Sequence, residues 1–519
     1  MKIGKEEREK IIGGILVMGA FGILVLANIL WGGHMIDSDF ATQMQLSKIC
    51  SEEKRIVTTS WIYGNELRFI NTQIIYGLIF SFTNDWSVVR AVGNAIMYLM
   101  LVSSYAYLMK PIKIESRWKW IGAVGVLIPF SLVDLRFEYM SADYLPPILI
   151  MFLYLGSWLR CVYCDDATAK KTFCLQYIVL SLISLLAGMN GIRSALVIIG
   201  PLALLLVYRC AFHTKKMDKH EWMAYTVGIG TFLVGFGINR FVLTPKYGFG
   251  GYNDVDFADI GSGILVENLE ECLGAFLKSL GYASSFRLLS LHGVINLLVL
   301  CFCIVTAYIL GRTAGHKEEK HSGDLLKQFF IMSVLFNFLF YGFTENRLLI
   351  TRYVIPAISG VIPALAICFA QEKDNLKRRL SFLVVALFFV GGGLRTYYSL
   401  AVNDYNEDRY ASIAFLKDNN LNFGYATSWN AGVVMELTDG EIEVVNMHDI
   451  ENQQPQLQTC PKRWFTEEYE GTPFLLLTRE EYTLYRDSGV ISKGDLVYED
   501  DAFLILLYED KNDICPYEL

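Results

Sequence analysis

The fold of this chain is decided first by the apolar run IIGGILVMGAFGILVLANIL, residues 11–30, which leads into WGGHMIDSDF, residues 31–40. A run of roughly 20 mainly apolar residues is long enough to cross a bilayer as one helix. No small-residue cleavage site precedes Trp31, so we interpret the run as an uncleaved signal anchor. Two carboxylates, Asp37 and Asp39, therefore follow the first membrane helix immediately.

The composition of the whole chain is that of a membrane protein. Hydrophobic residues make up 53% of its 519 residues, and only 19% are charged. Apolar runs predict about eleven spanning helices. They start near Ile11, Val88, Trp120, Tyr144, Phe173, Ser194, Trp222, Leu289, Phe329, Val354 and Leu380. We expect a polytopic α-helical membrane protein and no nucleic-acid partner, because the basic residues occur in short clusters and the formal charge is -8.

Those basic clusters predict the orientation of the spans. Lysine and arginine precede the first span and recur in every second connection, at 110–119, 160–171, 209–219, 312–327 and 373–379. Cytoplasmic loops carry this excess, so we expect a cytoplasmic N-terminus, an odd number of spans and an extracytoplasmic C-terminus at the cell membrane. The apolar run 70–82 is short, and spanning there would invert all later loops. An interfacial or re-entrant helix suits it better.

The sequence divides at about residue 400. Residues 1–400 are predicted to form the transmembrane module, with two long external segments at 33–87 and 244–288. Trp61, Tyr63 and Trp86 in the first segment suit aromatic anchors at the membrane surface.

Residues 401–519 predict a small extracytoplasmic α/β domain. Their apolar runs shorten to strand length at 423–428, 442–445, 474–477, 496–498 and 503–508. Helical stretches intervene at 408–417 and 479–487. Cys460 and Cys515 lie in this segment, and the sequence leaves open whether they form a disulfide.

The pair Asp37 and Asp39 is the sharpest local feature outside the apolar runs. A carboxylate at the membrane surface is costly unless it is solvated, paired or used. In use, it would take the proton from an acceptor hydroxyl or hold a divalent metal. The structural alternative is that Asp39 caps the following helix, residues 41–49. The residues alone leave both interpretations open.

Five arginines lie at the predicted external surface and are exceptions to the positive-inside rule. They are Arg68, Arg136, Arg193, Arg347 and Arg352. Singly, each can snorkel or pair with a nearby acid, and the candidate acids are Glu66, Glu138 and Glu345. As a group on one face they would bind an anionic headgroup, because guanidinium groups bind phosphate oxygens bidentately. With the aspartates, they predict a lipid phosphate site beside a carboxylate that acts on a second substrate.

These residues resemble those of the bacterial GT-C fold glycosyltransferases, membrane enzymes that use polyprenyl-phosphate sugars, and of glycosyltransferase family 39 in particular. The resemblance rests on the first helix with its acidic pair, the stretch WIYGNELRFINTQ at 61–73, RYVIP at 352–356, and the C-terminal domain. It implies an inverting hexosyl- or pentosyltransferase whose donor is an undecaprenyl-phosphate-linked monosaccharide in the outer leaflet. The other partners implied are membrane lipids and an acceptor of unknown identity.

The resemblance also implies roles for single residues. Asp39, with Asp37 second, is expected to be the catalytic base or the ligand of a divalent metal. The residues expected to bind the donor phosphate are Arg352, Arg347 and Arg193. The second acidic position is Glu138 or Asp143, and further candidates are Arg68 and Arg136.

The sequence has three alternative interpretations of function. A transporter or flippase is disfavoured, because the predicted helix interiors hold few ionisable side chains and show no clear inverted repeat. A lipid-linked glycan polymerase or ligase would share the lipid site. A membrane scaffold whose C-terminal domain binds a partner is also compatible with the sequence.

Overall fold

The computed structural model describes residues 4–164, 170–212, 217–251, 257, 264–284, 287, 289–314, 322–344, 351–469 and 471–517. Its α-helices are α1 Lys5–Trp31, α2 Ser38–Glu52, α3 Gln73–Phe80, α4 Trp86–Met109, α5 Ser116–Gly125, α6 Leu132–Asp134, α7 Leu145–Val162, α8 Lys170–Gly188, α9 Ile192–Ser194, α10 Gly200–Phe212, α11 Lys219–Gly237, α12 Ile264–Ser279, α13 Leu291–Ala314, α14 Ser322–Gly342, α15 Ile355–Gln371, α16 Asn375–Val402, α17 Tyr410–Asp418, α18 Ser428–Leu437, α19 Arg463–Thr466 and α20 Arg479–Tyr485. Its strands are β1 Trp61–Tyr63, β2 Gly248–Phe249, β3 Phe423–Thr427, β4 Glu443–Asp449, β5 Gln454–Pro455, β6 Cys460–Pro461, β7 Phe474–Thr478, β8 Asp495–Glu499 and β9 Phe503–Leu507.

Within the described residues, 10 helical segments are long and apolar enough to cross a membrane. They coincide with all the predicted spans except the one near Trp120, so the prediction of about eleven spanning helices is confirmed to within that one segment. In that region α5 ends at Gly125, and the chain resumes as α6 and a π-helical turn, Leu135–Met140. Pro129 lacks an N–H group, and Ser131 caps α6 by accepting from the Asp134 N–H at 3.0 Å. The helix therefore restarts instead of continuing.

Contacts divide the chain into two compact units. Unit 1 consists of Met1–Leu26, Asn94–Val242 and Asn253–Ser399. Its most buried spans are α7 and α15, of which 89% lies inside the protein. Helices α8 and α11 approach closely, since a Cβ placed on Gly188 would lie 2.1 Å from the Phe232 carbonyl oxygen.

Unit 2 consists of Ala27–Gly93, Leu243–Tyr252 and Leu400–Leu519. Its largest element is a six-stranded sheet with the order β5-β4-β3-β7-β9-β8. Strand β3 is parallel to β4 and β7, whereas β9 is antiparallel to β7 and β8. The predicted α/β fold of the C-terminal residues is confirmed, with all five predicted strands present. Cys460 and Cys515 are both buried, free thiols.

A smaller sheet in unit 2 joins three distant parts of the sequence. It has the order β2-β1-β6, and Ile62 of β1 pairs with both Gly248 and Cys460. Trp61 and Tyr63 are 1% and 5% exposed, and Trp86 is 3% exposed. The expectation that these aromatic residues anchor at a membrane surface is therefore wrong, because they pack inside unit 2.

Helix α3 occupies the ambiguous run 70–82. It has 8 residues, too few for a bilayer that needs about 20, so it does not span. Its Tyr76 is fully buried, whereas Leu78 is 60% exposed. The helix therefore lies along a surface, with one face packed on the protein.

A buried ion pair in unit 2 links α4 to α18. The Arg90 Nε donates to Glu436 Oε1 at 2.7 Å, and Arg90 Nη2 donates to the Phe40 carbonyl oxygen at 3.1 Å. The guanidinium also lies over the rings of Phe40 and Tyr76, at 5.3 and 5.9 Å. Burial raises the pKa of the Glu436 carboxyl, and the charge of Arg90 opposes that shift. The pair thus holds the start of α4, the start of α2 and α18 together.

Candidate functional site

The two aspartates have different environments at the start of α2. Asp37 has extended backbone angles, and its Oδ1 accepts from the Phe40 N–H at 3.0 Å. It is therefore the N-cap of α2, and the prediction that Asp39 is the cap is wrong. Asp39 lies inside the first helical turn, where its half-buried side chain is not used to begin the helix. That Asp39 or Asp37 takes part in chemistry stays a prediction.

The stretch 61–73 lies against the same helix. Thr72 Oγ1 donates to Gln43 Oε1 at 3.1 Å, one helical turn after Asp39. Gln73 Nε2 donates to the Arg68 carbonyl oxygen at 2.9 Å, and Arg68 Nε bonds Glu66 Oε1 at 3.0 Å. Arg68 therefore pairs with Glu66, as proposed from the sequence. Within unit 2, the Thr72–Gln43 hydrogen bond therefore joins the end of the WIYGNELRFINTQ stretch to α2.

A polar region in unit 1 surrounds two aromatic rings. Phe137 and Tyr144 meet edge to face with centroids 6.4 Å apart. The guanidinium carbons of Arg136 and Arg352 both lie 5.2 Å from the Phe137 ring, and that of Arg193 lies 4.7 Å from the Tyr144 ring. We call Arg136, Arg193 and Arg352 the arginine cluster. The cluster therefore places three guanidinium groups, each within about 6 Å of an aromatic ring, around one pair of rings.

Two hydroxyl groups fix the backbone that carries Arg352. The turn Thr351–Val354 precedes α15, and Ser279 Oγ donates to the Thr351 carbonyl oxygen at 2.7 Å. Ser131 Oγ in turn donates to the Ser279 carbonyl oxygen at 2.6 Å. These bonds hold Arg352 at the end of α12. The sequence gives no local signal for them, because the three residues are far apart in the chain.

The structure separates the two candidates for the second acidic position. Asp143 Oδ2 accepts from Arg193 Nη1 at 3.0 Å, with the two side chains 17% and 18% exposed. Glu138 is 1% exposed, and its Oε2 accepts from Ser359 Oγ at 2.7 Å. Asp143 thus forms an ion pair with Arg193 of the arginine cluster, whereas Glu138 is buried inside unit 1.

The remaining site predictions concern Arg347 and a metal. Arg347 lies outside the described residues. Across the described ranges, no three His, Cys, Asp or Glu side chains form a group that could hold a metal ion. The Asp37 carboxylate is already used as a helix cap. That Asp37 or Asp39 holds a divalent metal therefore stays a prediction.

A bundle of spanning helices, together with short surface helices and a C-terminal α/β sheet, defines the architecture of the GT-C membrane proteins. Solved structures of two such proteins match this chain. ArnT from Cupriavidus metallidurans bound to undecaprenyl phosphate has a TM-score of 0.56 at 11% identity, over 95% of this chain and 97% of that chain. Its apo state has a TM-score of 0.56 at 10% identity, over 94% and 97%.

The oligosaccharyltransferase of Archaeoglobus fulgidus is also similar. Its structure, tethered with an acceptor peptide containing the NVT sequon, has a TM-score of 0.51 at 11% identity, over 96% of this chain and 74% of that chain. Neither a family model nor a curated protein matches the sequence. At these identities the likeness establishes the fold, so the GT-C fold implied by the sequence resemblance is confirmed.

Proposed function

We propose that this protein is a membrane glycosyltransferase that moves a sugar from a polyprenyl-phosphate-linked donor to an acceptor hydroxyl or amide. The observation that carries the proposal is the arginine cluster, which lies in a chain whose fold matches ArnT bound to undecaprenyl phosphate over 95% of its length. Three guanidinium groups around two aromatic rings suit a phosphate attached to an apolar chain.

The proposed reaction is a single displacement with inversion. The acceptor oxygen or nitrogen forms a bond to the anomeric carbon while the bond from that carbon to the phosphate oxygen breaks. Asp39 takes the proton of the acceptor, and polyprenyl phosphate leaves with the bonding electron pair. In unit 1, Arg352 and Arg193 bind the phosphate of the lipid donor, a role that rests on contacts within that unit alone. Asp37 supports the reaction only by starting α2.

We further propose the orientation expected from the basic loops, with the N-terminus in the cytoplasm and unit 2 outside. The interrupted segment 116–140 then supplies the eleventh crossing, since the basic stretches 110–119 and 160–171 flank it together with α7. A broken helix is tolerated at membrane depth when protein surrounds it, and Ser131, Asp134 and Glu138 are all buried.

The function is tested with purified protein in liposomes that contain undecaprenyl-phosphate sugar labelled in the sugar. We expect release of undecaprenyl phosphate as the label moves to an acceptor supplied as envelope lipid, cell-wall polymer or protein, assayed with and without EDTA. Label that crosses the bilayer while still attached to the lipid would identify a flippase instead. Transfer of only oligosaccharide-bearing lipids would favour a polymerase or ligase.

Arg352→Ala is expected to weaken binding of undecaprenyl phosphate by about 10- to 100-fold, because a hydrogen bond to a charged group contributes about 1.5–3 kcal/mol. Arg352→Lys should fall between alanine and wild type, since lysine keeps the charge but loses the planar pair of donors. Binding is measured by titrating the lipid into detergent-solubilised protein. The matched control is Arg379→Ala, an exposed arginine on α16. Equal affinity in Arg352→Ala and wild type would remove Arg352 from the phosphate site.

A further inference from the structure

The turn between α1 and α2 is held through its carbonyl groups by two residues that follow α16. The Tyr405 N–H donates to the His34 carbonyl oxygen at 3.0 Å. The side-chain amide of Asn406 donates to the carbonyl oxygens of Gly33 and Ile36, at 2.9 and 3.1 Å. Three carbonyls within four residues are thus bound by one short segment. All five residues belong to unit 2.

Each polar group of the Asn406 side chain has a hydrogen-bond partner. Its side chain is fully buried, at 0% exposure. The two carbonyls account for both amide N–H groups, and the amide oxygen accepts from Arg409 Nη1 at 3.1 Å. Leaving such buried groups unpaired costs about 1–3 kcal/mol each. The amide is therefore a rigid bridge between Arg409 and the turn.

Arg409 extends this bridge to α18. Its Nη2 donates to Asn430 Oδ1 at 2.9 Å, and Asn430 Nδ2 donates to Thr427 Oγ1 at 3.0 Å at the end of β3. Helix α18 in turn packs directly on α2. The Ser38 hydroxyl donates to the Ser428 carbonyl oxygen. Helix α18 and the end of β3 thus contact both the Asn406–Arg409 pair and the first turn of α2.

The turn that Asn406 holds ends at Ile36, and Asp37 caps α2 at the next position. Asp39 follows within the first helical turn, so the direction of its carboxylate depends on how the turn enters the helix. We infer that Asn406 is a positioning residue that orients the Asp39 carboxylate through the carbonyls of Gly33 and Ile36. The inference rests on the proposed function, in which that carboxylate takes the proton of the acceptor.

Two substitutions distinguish the hydrogen bonds from Asn406 to the turn from the hydrogen bond that Asn406 accepts from Arg409. Asn406→Ala removes all of these hydrogen bonds. Asn406→Asp keeps an oxygen that accepts from Arg409 but loses the N–H groups that donate to the turn. We expect both to lower kcat per folded molecule by about 10- to 100-fold, because a displacement of about 1 Å at a reacting group costs up to 100-fold. The KM values for donor and acceptor should stay near wild type, and the pH dependence of kcat should shift. The matched control is Asn419→Ala, whose exposed amide bonds only the Phe415 carbonyl within α17.

Hydrogen exchange provides a measurement that needs no activity. The amides of Phe40 and Ala41 should exchange faster in both Asn406 variants than in wild type, and at the wild-type rate in Asn419→Ala. If the wild-type protein transfers no sugar, the proposed function fails, and the exchange rates alone decide whether Asn406 holds the turn. Unchanged exchange, or a kcat that falls only in proportion to the folded fraction, overturns the inference. Wild-type kcat in Asn406→Asp would also overturn it, by showing that the donors to the turn are not required.

Discussion

Asp39→Asn is expected to lower the rate of sugar transfer by about 10²–10⁴-fold, the usual loss when a general base is removed. Asparagine has the same shape as aspartate but cannot accept the proton of the acceptor. The substitution lies in the first turn of α2 and leaves the Asp37 cap in place, so folding and membrane insertion should be normal. The measurement is the initial rate of label transfer from undecaprenyl-phosphate sugar, with donor affinity measured separately and expected to be unchanged.

Asp37→Asn is the matched control, two residues away and with the same change of chemistry. Asparagine is as good an N-cap as aspartate, so α2 should begin at the same residue and most of the activity should be retained. Asp37→Ala should lose about 1 kcal/mol of stability through loss of the cap. Full activity in Asp39→Asn would sink the assignment of the base. A larger loss in Asp37→Asn than in Asp39→Asn would exchange their roles.

Glu436→Gln is expected to destabilise unit 2 by about 3–5 kcal/mol, because it leaves the buried Arg90 charge without its partner. Arg90→Met should have a similar effect by leaving Glu436 unpaired. The double variant Arg90→Met/Glu436→Leu removes both charges, and it should recover much of the loss. The measurement is the midpoint of thermal unfolding in detergent at one fixed scan rate, since membrane proteins often unfold irreversibly.

The exposed pair Arg479–Glu499 is the matched control within the same unit. Its atoms are 3.0 Å apart, but its side chains are 48% and 46% exposed. Glu499→Gln should therefore change stability by less than about 1 kcal/mol. Equal shifts in Glu436→Gln and Glu499→Gln would show that burial does not distinguish the two pairs. A double variant as unstable as the sum of the single variants would show that Arg90 and Glu436 do not interact.

Much of the fold follows from local sequence. Hydropathy located every candidate span, and short apolar runs located the five strands β3, β4, β7, β8 and β9. Near Trp120 it gave no sign that the helix is interrupted, because the apolar composition continues through Pro129. It failed for Trp61 and Tyr63, because an aromatic side chain has the same hydropathy in a protein core as at a lipid surface.

The candidate site was less accessible from the sequence. Asp37 and Asp39 both precede a helix, and only the backbone angles show which one caps it. Asp143 and Arg193 are 50 residues apart, and Asn406 is 373 residues from Gly33. No periodicity connects such positions.

The small sheet that pairs Ile62 with Cys460 has a consequence for the order of synthesis. The ribosome makes the second partner strand roughly 400 residues after the first. At about 5–20 residues per second, β1 waits about 20–80 s for that partner. Glu436 is likewise synthesised long after Arg90, and Asn406 long after Gly33. Throughout that interval the segment that carries Asp39 lacks these contacts, so its final structure forms only after translation has passed residue 460.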